Sequence, residues 1–162
     1  MKRDKEKFLE LLSGYQGIIH KVSLVYFRNP SDREDNVQEI IYQLWKSFPN
    51  LKDHQRIGSW IYAVAINTSI SGIKKQSRME YRESVGELIA GADLMDEITL
   101  NESSRLLLDA IHDLSEPDRT VMMLWLDELS YDEIAEIIGI SKSNVGVRIN
   151  RAKEKLKNKL NN

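Results

Sequence analysis

Six side chains near the C-terminus combine types and spacing suited to reading a nucleic acid. Lys142, Ser143, Asn144, Arg148, Arg151 and Lys155 lie on one side of a helical register. The other side of that register carries Val145, Ile149, Ala152, Leu156 and Leu160. Arginine can bond bidentately to guanine and asparagine to adenine, each pair discriminating by about 1–3 kcal/mol. Lysines suit phosphates, which position a protein without specifying sequence. A second stripe lies earlier: Trp60, Val64, Asn67, Ser71, Lys74 and Arg78 recur at three- and four-residue steps, with Lys75 beside its end. Aromatic rings stack unpaired bases for about 1–3 kcal/mol each, while lysines grip the backbone. Periodicity alone leaves Trp60 open between stacking and core packing. Ile61, Ala65 and Ile73 offer other core faces, so Asn67 and Ser71 need not be buried. A third polar set, Asp35, Gln38 and Glu39, shares one face of an expected helix, opposite Ile40 and Leu44.

The elements that must hold these groups are helical nearly throughout. Ser130 and Glu133 form a capping box, and Tyr131, Ile134, Ala135 and Ile138 make the buried face of a short helix. Gly139 supplies the left-handed residue that ends it. Ile140 plugs the turn and Ser141 caps the next helix, so residues 130–160 read as a helix-turn-helix. Ala135 and Gly139 are small where two crossing helices come closest. Upstream, Phe8, Leu11, Leu12, Tyr15, Ile18, Ile19 and Val22 predict a long first helix ending near Asn29-Pro30. A second helix opens with a Ser31–Glu34 capping box and carries Val37, Ile40, Ile41, Leu44, Trp45 and Phe48 on its apolar face. After a polar loop from Asn50 to Arg56, a third helix runs from about Gly58 to Lys75. Between residues 79 and 102 the apolar spacing weakens and acids accumulate. Leu106, Leu107, Ala110, Ile111 and Leu114 then begin a further helix, and Ser115-Glu116-Pro117-Asp118 caps another. The expected fold is all-α: two small helical domains, residues 1–78 and 103–162, joined by a flexible linker over 79–102.

Charge and composition narrow the chemistry. The net charge of −2, from 23 Lys and Arg against 25 Asp and Glu, conceals a sorting by sign. From Ser141 onward Lys142, Arg148, Arg151, Lys153, Lys155, Lys157 and Lys159 stand against Glu154 alone. From Leu106 to Ile140 the only base is Arg119, facing Asp109, Asp113, Glu116, Asp118, Asp127, Glu128, Asp132, Glu133 and Glu136. That acidic side would repel DNA and leave the last helix as the attractive one. With no cysteine, and with His20, His54 and His112 far apart, no metal ligand set is expected. No Gly-rich phosphate loop, catalytic triad or carboxylate–histidine cluster is present, so neither cofactor nor catalytic residue is expected, and the chain does not read as an enzyme. Met1 to Lys7 is charged and without an apolar signal core, and no apolar run approaches the ~20 residues of a membrane span. A cytoplasmic protein without membrane insertion is expected. Val121 to Leu126 is apolar all round, which suits either core filling or a partner groove.

Three motifs in order carry a family resemblance. Asp32-Arg33-Glu34-Asp35 is followed by Gln38-Glu39 and Leu44-Trp45. Ser59-Trp60-Ile61-Tyr62-Ala63-Val64-Ala65-Ile66-Asn67 comes next, then Leu114-Ser115-Glu116-Pro117-Asp118-Arg119 with Ser130 through Lys153. Over nearly its whole length the chain resembles the small extracytoplasmic-function sigma factors of bacterial RNA polymerase. The resemblance implies a region 2-like domain, then a region 4-like helix-turn-helix domain. It implies that Asp35, Gln38 and Glu39 dock on the clamp helices of the polymerase's largest subunit. Trp60, Asn67, Ser71, Lys74, Lys75 and Arg78 would read and melt the −10 element, with the 50–56 loop holding a flipped base, a step costing a few kcal/mol. Lys142, Ser143, Asn144, Arg148, Arg151 and Lys155 would read the −35 element. Implied partners are core polymerase, including its flap, promoter DNA and an anti-sigma factor. Ile66 and Ser71 depart from the family, where many relatives carry Arg and Asp. Two other functions fit a helix-turn-helix: a polymerase-independent transcriptional regulator, which would leave paired inverted half-sites, and a decoy that binds polymerase or an anti-sigma factor without initiating.

Overall fold

The structure is a computed structural model that describes residues 2–82 and 101–161, with side chains described through Arg78 and from Asn101. Seven α-helices form among these residues: α1 (Lys2–Tyr26), α2 (Pro30–Ser47), α3 (Ile57–Arg82), α4 (Glu102–His112), α5 (Glu116–Leu126), α6 (Tyr131–Ile138) and α7 (Lys142–Asn161). The expected linker lies almost wholly outside the described residues, although α3 continues through Arg82, past the expected boundary at residue 78.

Local chemistry explains most helix ends. The second helix starts earlier than a Ser31 cap would allow: Asn29 is the cap, its side chain accepting from the Ser31 and Asp32 amides, and Pro30 opens the first turn. The α1 backbone leaves helical geometry at Tyr15 (φ −126°, ψ 16°), between the weak helix formers Gly14 and Gly17. The Ser130–Glu133 capping box has both of its bonds, at 3.1 and 2.8 Å. Gly139 ends α6 at φ 79°, a conformation that costs other residues about 1–2 kcal/mol. Its small size serves this turn rather than a close crossing, since a Cβ there would meet nothing within 4 Å. The close approach is at Gly146, where a Cβ would sit 3.4 Å from the Tyr131 ring.

α1, α2 and α3 pack together around Phe8, Leu12, Ile19, Val22, Ile40, Leu44, Ile61 and Ala65. A polar link joins the three helices inside this core: the Asn36 amide donates to Ser23 Oγ (2.9 Å) and Ser69 Oγ (2.8 Å), and Ser69 donates onward to the Ala65 carbonyl. Trp45 departs from the expected apolar face. It is 41% exposed and rests its ring 5.1 Å from that of Phe8. The second half centres on Ile111, Val121, Met122, Leu124, Ile134, Val145, Ile149 and Leu156. Leu160, expected on the inward stripe, is 47% exposed where the last turn runs beyond its neighbours.

The two halves also pack on each other, α1 against α4 and α5, and α3 against α6. This accounts for the all-round apolarity of the 121–126 run. α5 is covered by α4, α6 and α7 from its own half and by α1 from the other. Val121, Met122, Met123 and Leu124 are all buried, and only Leu126 emerges substantially. Polar bonds fix the junction. Thr120 donates to the Glu116 carbonyl, so Tyr26 must be the donor in its buried bond to Thr120, and burial pushes its phenol up to about 12. Asp127 accepts from Lys21 Nζ and from the Tyr62 hydroxyl, both at 2.5 Å. Arg28 meets Asp113 at 3.0 Å, and Arg56 pairs with Glu136. The acids expected only to repel DNA therefore hold the two halves together. No helix among the described residues is long and apolar enough to cross a membrane.

Candidate nucleic-acid interface

α7 is held by its caps and its inward stripe. Ser141 Oγ accepts from the Asn144 amide at 3.1 Å, and Val145, Ile149 and Ala152 are fully buried, with Leu156 nearly so. With 3.6 residues per turn, the direction opposite that stripe is occupied by Ser143, Val147, Asn150, Arg151 and Glu154, all exposed. Lys142, Ser143, Asn144, Arg151 and Lys155 are exposed, and Arg148 is half-buried on the flank.

Four of the basic groups have partners within their own half. Asp118, 1% exposed at the start of α5, receives a hydrogen bond from Lys155 Nζ at 2.9 Å, and its other oxygen faces Arg151 at 3.7 Å. Lys155 and Arg151 thus brace α7 on α5 while their half-exposed stems remain at the surface. Lys142 lies 3.5 Å from Asp132 on α6. Lys153 sits 4.1 Å over the Trp125 ring, a cation–π contact on the other flank. Val147 and Asn150 are missing from the residues singled out by sequence, yet the helical register that places Val145 and Ile149 inward also places these two outward.

On α3, Asn67, Ser71, Lys74, Lys75 and Arg78 are exposed, as their spacing suggested. Trp60 is not on that open surface. It is partly buried against the core and lines a cavity of about 230 Å³ with Leu51, Asp53, Arg56, Ala63 and, from α6, Glu136 and Ile137. The 50–56 segment is more ordered than a plain loop, with short 3-10 turns at Phe48–Asn50 and His54–Arg56. Asp53 caps the second turn through the Gln55 amide, and Arg56 is tied to α6 through Glu136. The N-terminal part of α3 therefore faces the other half of the molecule, and its C-terminal part faces outward. Tyr62 follows the covered side. Burial, followed by its bond to Asp127, raises its phenol well above the usual tyrosine range, so it remains a donor.

On α2, Asp35, Gln38 and Glu39 are exposed while Ile40 and Leu44 are fully buried behind them. Asp35 and Glu39, but not Gln38, line an open groove of about 670 Å³ whose other wall carries Asn67, Ser71 and Lys75 of α3. Sequence reasoning treats these as separate sites. The packing of α2 on α3 makes them neighbours.

These features define an all-helical protein with a capped helix-turn-helix at one end and a polar two-helix surface at the other. Comparison with known proteins makes the class specific. Sigma-70 region 2 matches residues 11–79, and sigma-70 region 4 matches residues 104–156. The chain is 30% identical to the ECF RNA polymerase sigma-E factor of Haemophilus influenzae, over 97% of this chain and 89% of that protein. It is 26% identical to the ECF RNA polymerase sigma factor SigW of Bacillus subtilis, over 98% of this chain and 91% of that one. Among solved structures, the sigma factor RpoE of Bartonella quintana, in complex with the anti-sigma factor NepR, has a TM-score of 0.74. That likeness, at 19% identity, covers 99% of this chain and 98% of that one. CnrH, in complex with the cytosolic domain of CnrY, gives 0.67 at 19% identity, over 97% and 89%. The chain belongs to the family of ECF sigma factors of RNA polymerase.

Proposed function

We propose that the chain binds core RNA polymerase through α2, reads and melts a −10 element with α3 and its preceding loop, and reads a −35 element with α7. The observation that carries this reading is the coexistence of outward polar faces on all three helices, those of α2 and α3 adjoining across one groove, in a chain of this family. Asp35, Gln38 and Glu39 present carboxylates and an amide on a rigid helix, suited to the clamp helices. Asn67, Ser71, Lys74, Lys75 and Arg78 supply hydrogen bonds and phosphate-directed charge along the open part of α3. Lys142, Ser143, Asn144 and Arg148 lead the recognition helix, whose N-terminal residues approach base edges in helix-turn-helix proteins. The residues proposed as domains are 1–78 and 103–162.

Opening of the packed halves is part of this function. Promoter elements one and a half to two turns apart span roughly 50–70 Å. A segment the length of 79–102 has a relaxed span of only about 25–30 Å but reaches about 85 Å when stretched. Core polymerase holds the domains apart, with its flap supporting the second one, so the isolated chain binds promoters weakly. An anti-sigma factor is a natural opponent. The groove between α2 and α3 is lined by both docking and −10 residues, so one protein seated there blocks both. Family membership weighs against a polymerase-independent regulator.

The test is run-off transcription on a genomic fragment library, using core polymerase with the full chain added. New start sites preceded by two unlike elements are expected. Absence of new starts, together with failure to co-purify with core, overturns the reading.

A further inference from the structure

We infer that Val147, through its exposed isopropyl group, reads the methyl group of a thymine in the duplex. This rests on the proposed role of α7 in the major groove. Val147 is 60% exposed, the most exposed of the molecule's large hydrophobic side chains among the described residues. It stands opposite the stripe of Val145, Ile149, Ala152 and Leu156, one turn from Ser143 and beside Asn150 and Arg151. The helix packs on α4, α5 and α6 through that buried stripe, so Val147 points away from the surfaces that hold α7. A β-branched residue at an exposed helical position lowers helix propensity by a few tenths of a kcal/mol relative to Ala, and here no apolar neighbour compensates. Its polar surroundings rule out a broad apolar docking patch, because one isopropyl group among Ser, Asn and Arg buries too little.

The chemistry it fits is narrow. In the major groove thymine alone carries a C5 methyl, and apolar side chains discriminate it by contact. Val147 occupies the second turn of α7, between Asn144 and Arg148, whose amide and guanidinium can bond the edges of flanking bases. The expected site is thus a thymine in the upstream promoter element, with specificity for the methyl group rather than for the pairing edge.

Deoxyuridine differs from thymidine by that methyl alone, which makes the test direct. Holoenzyme assembled from core polymerase and the full chain is measured on a promoter from the run-off screen, first with its upstream element scrambled. Each thymine of the element is then replaced singly by deoxyuridine. At one position the replacement should weaken binding by about fourfold, the worth of one methyl group removed from water. The penalty should vanish with Val147→Ser and persist with Val147→Thr, which keeps a methyl. Both substitutions lie on the exposed face, and an unchanged unfolding midpoint confirms intact folding. Tolerance of deoxyuridine at every position, or a penalty that survives Val147→Ser, overturns the role of Val147 alone. Indifference to scrambling removes α7 as a promoter reader, and the inference falls with it.

Discussion

α3 and α7 each carry an outward polar face, but different parts of the chain hold them. α7 is set within its own half: by the Ser130–Glu133 box, the left-handed Gly139, the Ser141 cap, its own inward stripe and the pairs that Lys155 and Arg151 make with Asp118. The first half of α3 is set by partners from far along the sequence. Tyr62 donates to Asp127, Arg56 pairs with Glu136, and Trp60 lies beside Ile137. The difference teaches that a helix can be polar on one side for two reasons. The outward face of α7 is the one we propose meets DNA. The first half of α3 has its partners in the other half of the protein.

The largest effect that would break this contrast is expected at Asp127. Its side chain is 13% exposed and accepts two bonds, from Lys21 and Tyr62. Asp127→Ala leaves the Tyr62 hydroxyl without an acceptor at a half-buried junction. The cost should be about 2–3 kcal/mol, the worth of a hydrogen bond to a charged group with its partner left unsatisfied. The expected result is a loosened junction with both halves still folded. By small-angle scattering, the radius of gyration should rise above the ~15 Å expected of a compact chain of this length, while helical circular dichroism is unchanged. An unchanged radius would show that apolar contacts between α1 and α5 suffice without the polar clasp.

A smaller effect sharpens the other side. Ser130→Ala removes the capping bond to the Glu133 amide and should destabilise the α6–α7 unit by about 1 kcal/mol. Urea unfolding followed at Trp125 (with Trp45 and Trp60 replaced by Phe) reads the second half alone. If the midpoint does not move, tertiary packing of Ile134 rather than the cap holds α6.

The contrast also explains what was legible in the sequence. The helix-turn-helix could be read almost to the residue, because capping boxes, left-handed glycines and 3.6-residue stripes are short-range signals. The exposure of Asn67 and Ser71 and the burial of Ile40 and Leu44 followed from the same periodicity. The junction could not be read, because Lys21 and Asp127 are separated by more than a hundred positions and nothing local marks them as partners. The acids of α4, α5 and α6 therefore looked like a repulsive surface. Asp118 misled in a similar way: it looked like part of a cap, but it is buried beneath Lys155 and Arg151. Gly139 and Gly146 divide two tasks that sequence assigned to one glycine. Val147 and Asn150 were within reach of the register, which turns them outward with Ser143 and Arg151.

The smallest effect expected is a pH dependence of the junction, centred on His112 at the end of α4. Its Nε2–H donates to the Leu24 carbonyl of α1 at 2.9 Å, which leaves Nδ1 as the unprotonated nitrogen, buried and without a hydrogen-bond partner. Burial first, with Arg28 and Arg119 nearby, lowers the imidazole pKa below its ordinary 6.5, against the opposing pull of the Leu24 bond and Asp109. Protonating the packed form would place a second N–H where no acceptor waits. Separated halves expose His112 and let it titrate normally, so below about pH 6.5 the separated form binds the proton more readily. The junction is therefore fully stable above that pH and loses stability as pH falls through it, levelling off below the lowered value. Lowering the pH from about 7.5 to about 5.5 should shift the population toward the open form. The shift should be larger in Asp127→Ala, where less holds the halves together. His112→Gln should abolish the pH dependence, because its amide can donate to Leu24 without titrating. A pH response that persists in that variant would exclude His112 as the sensor.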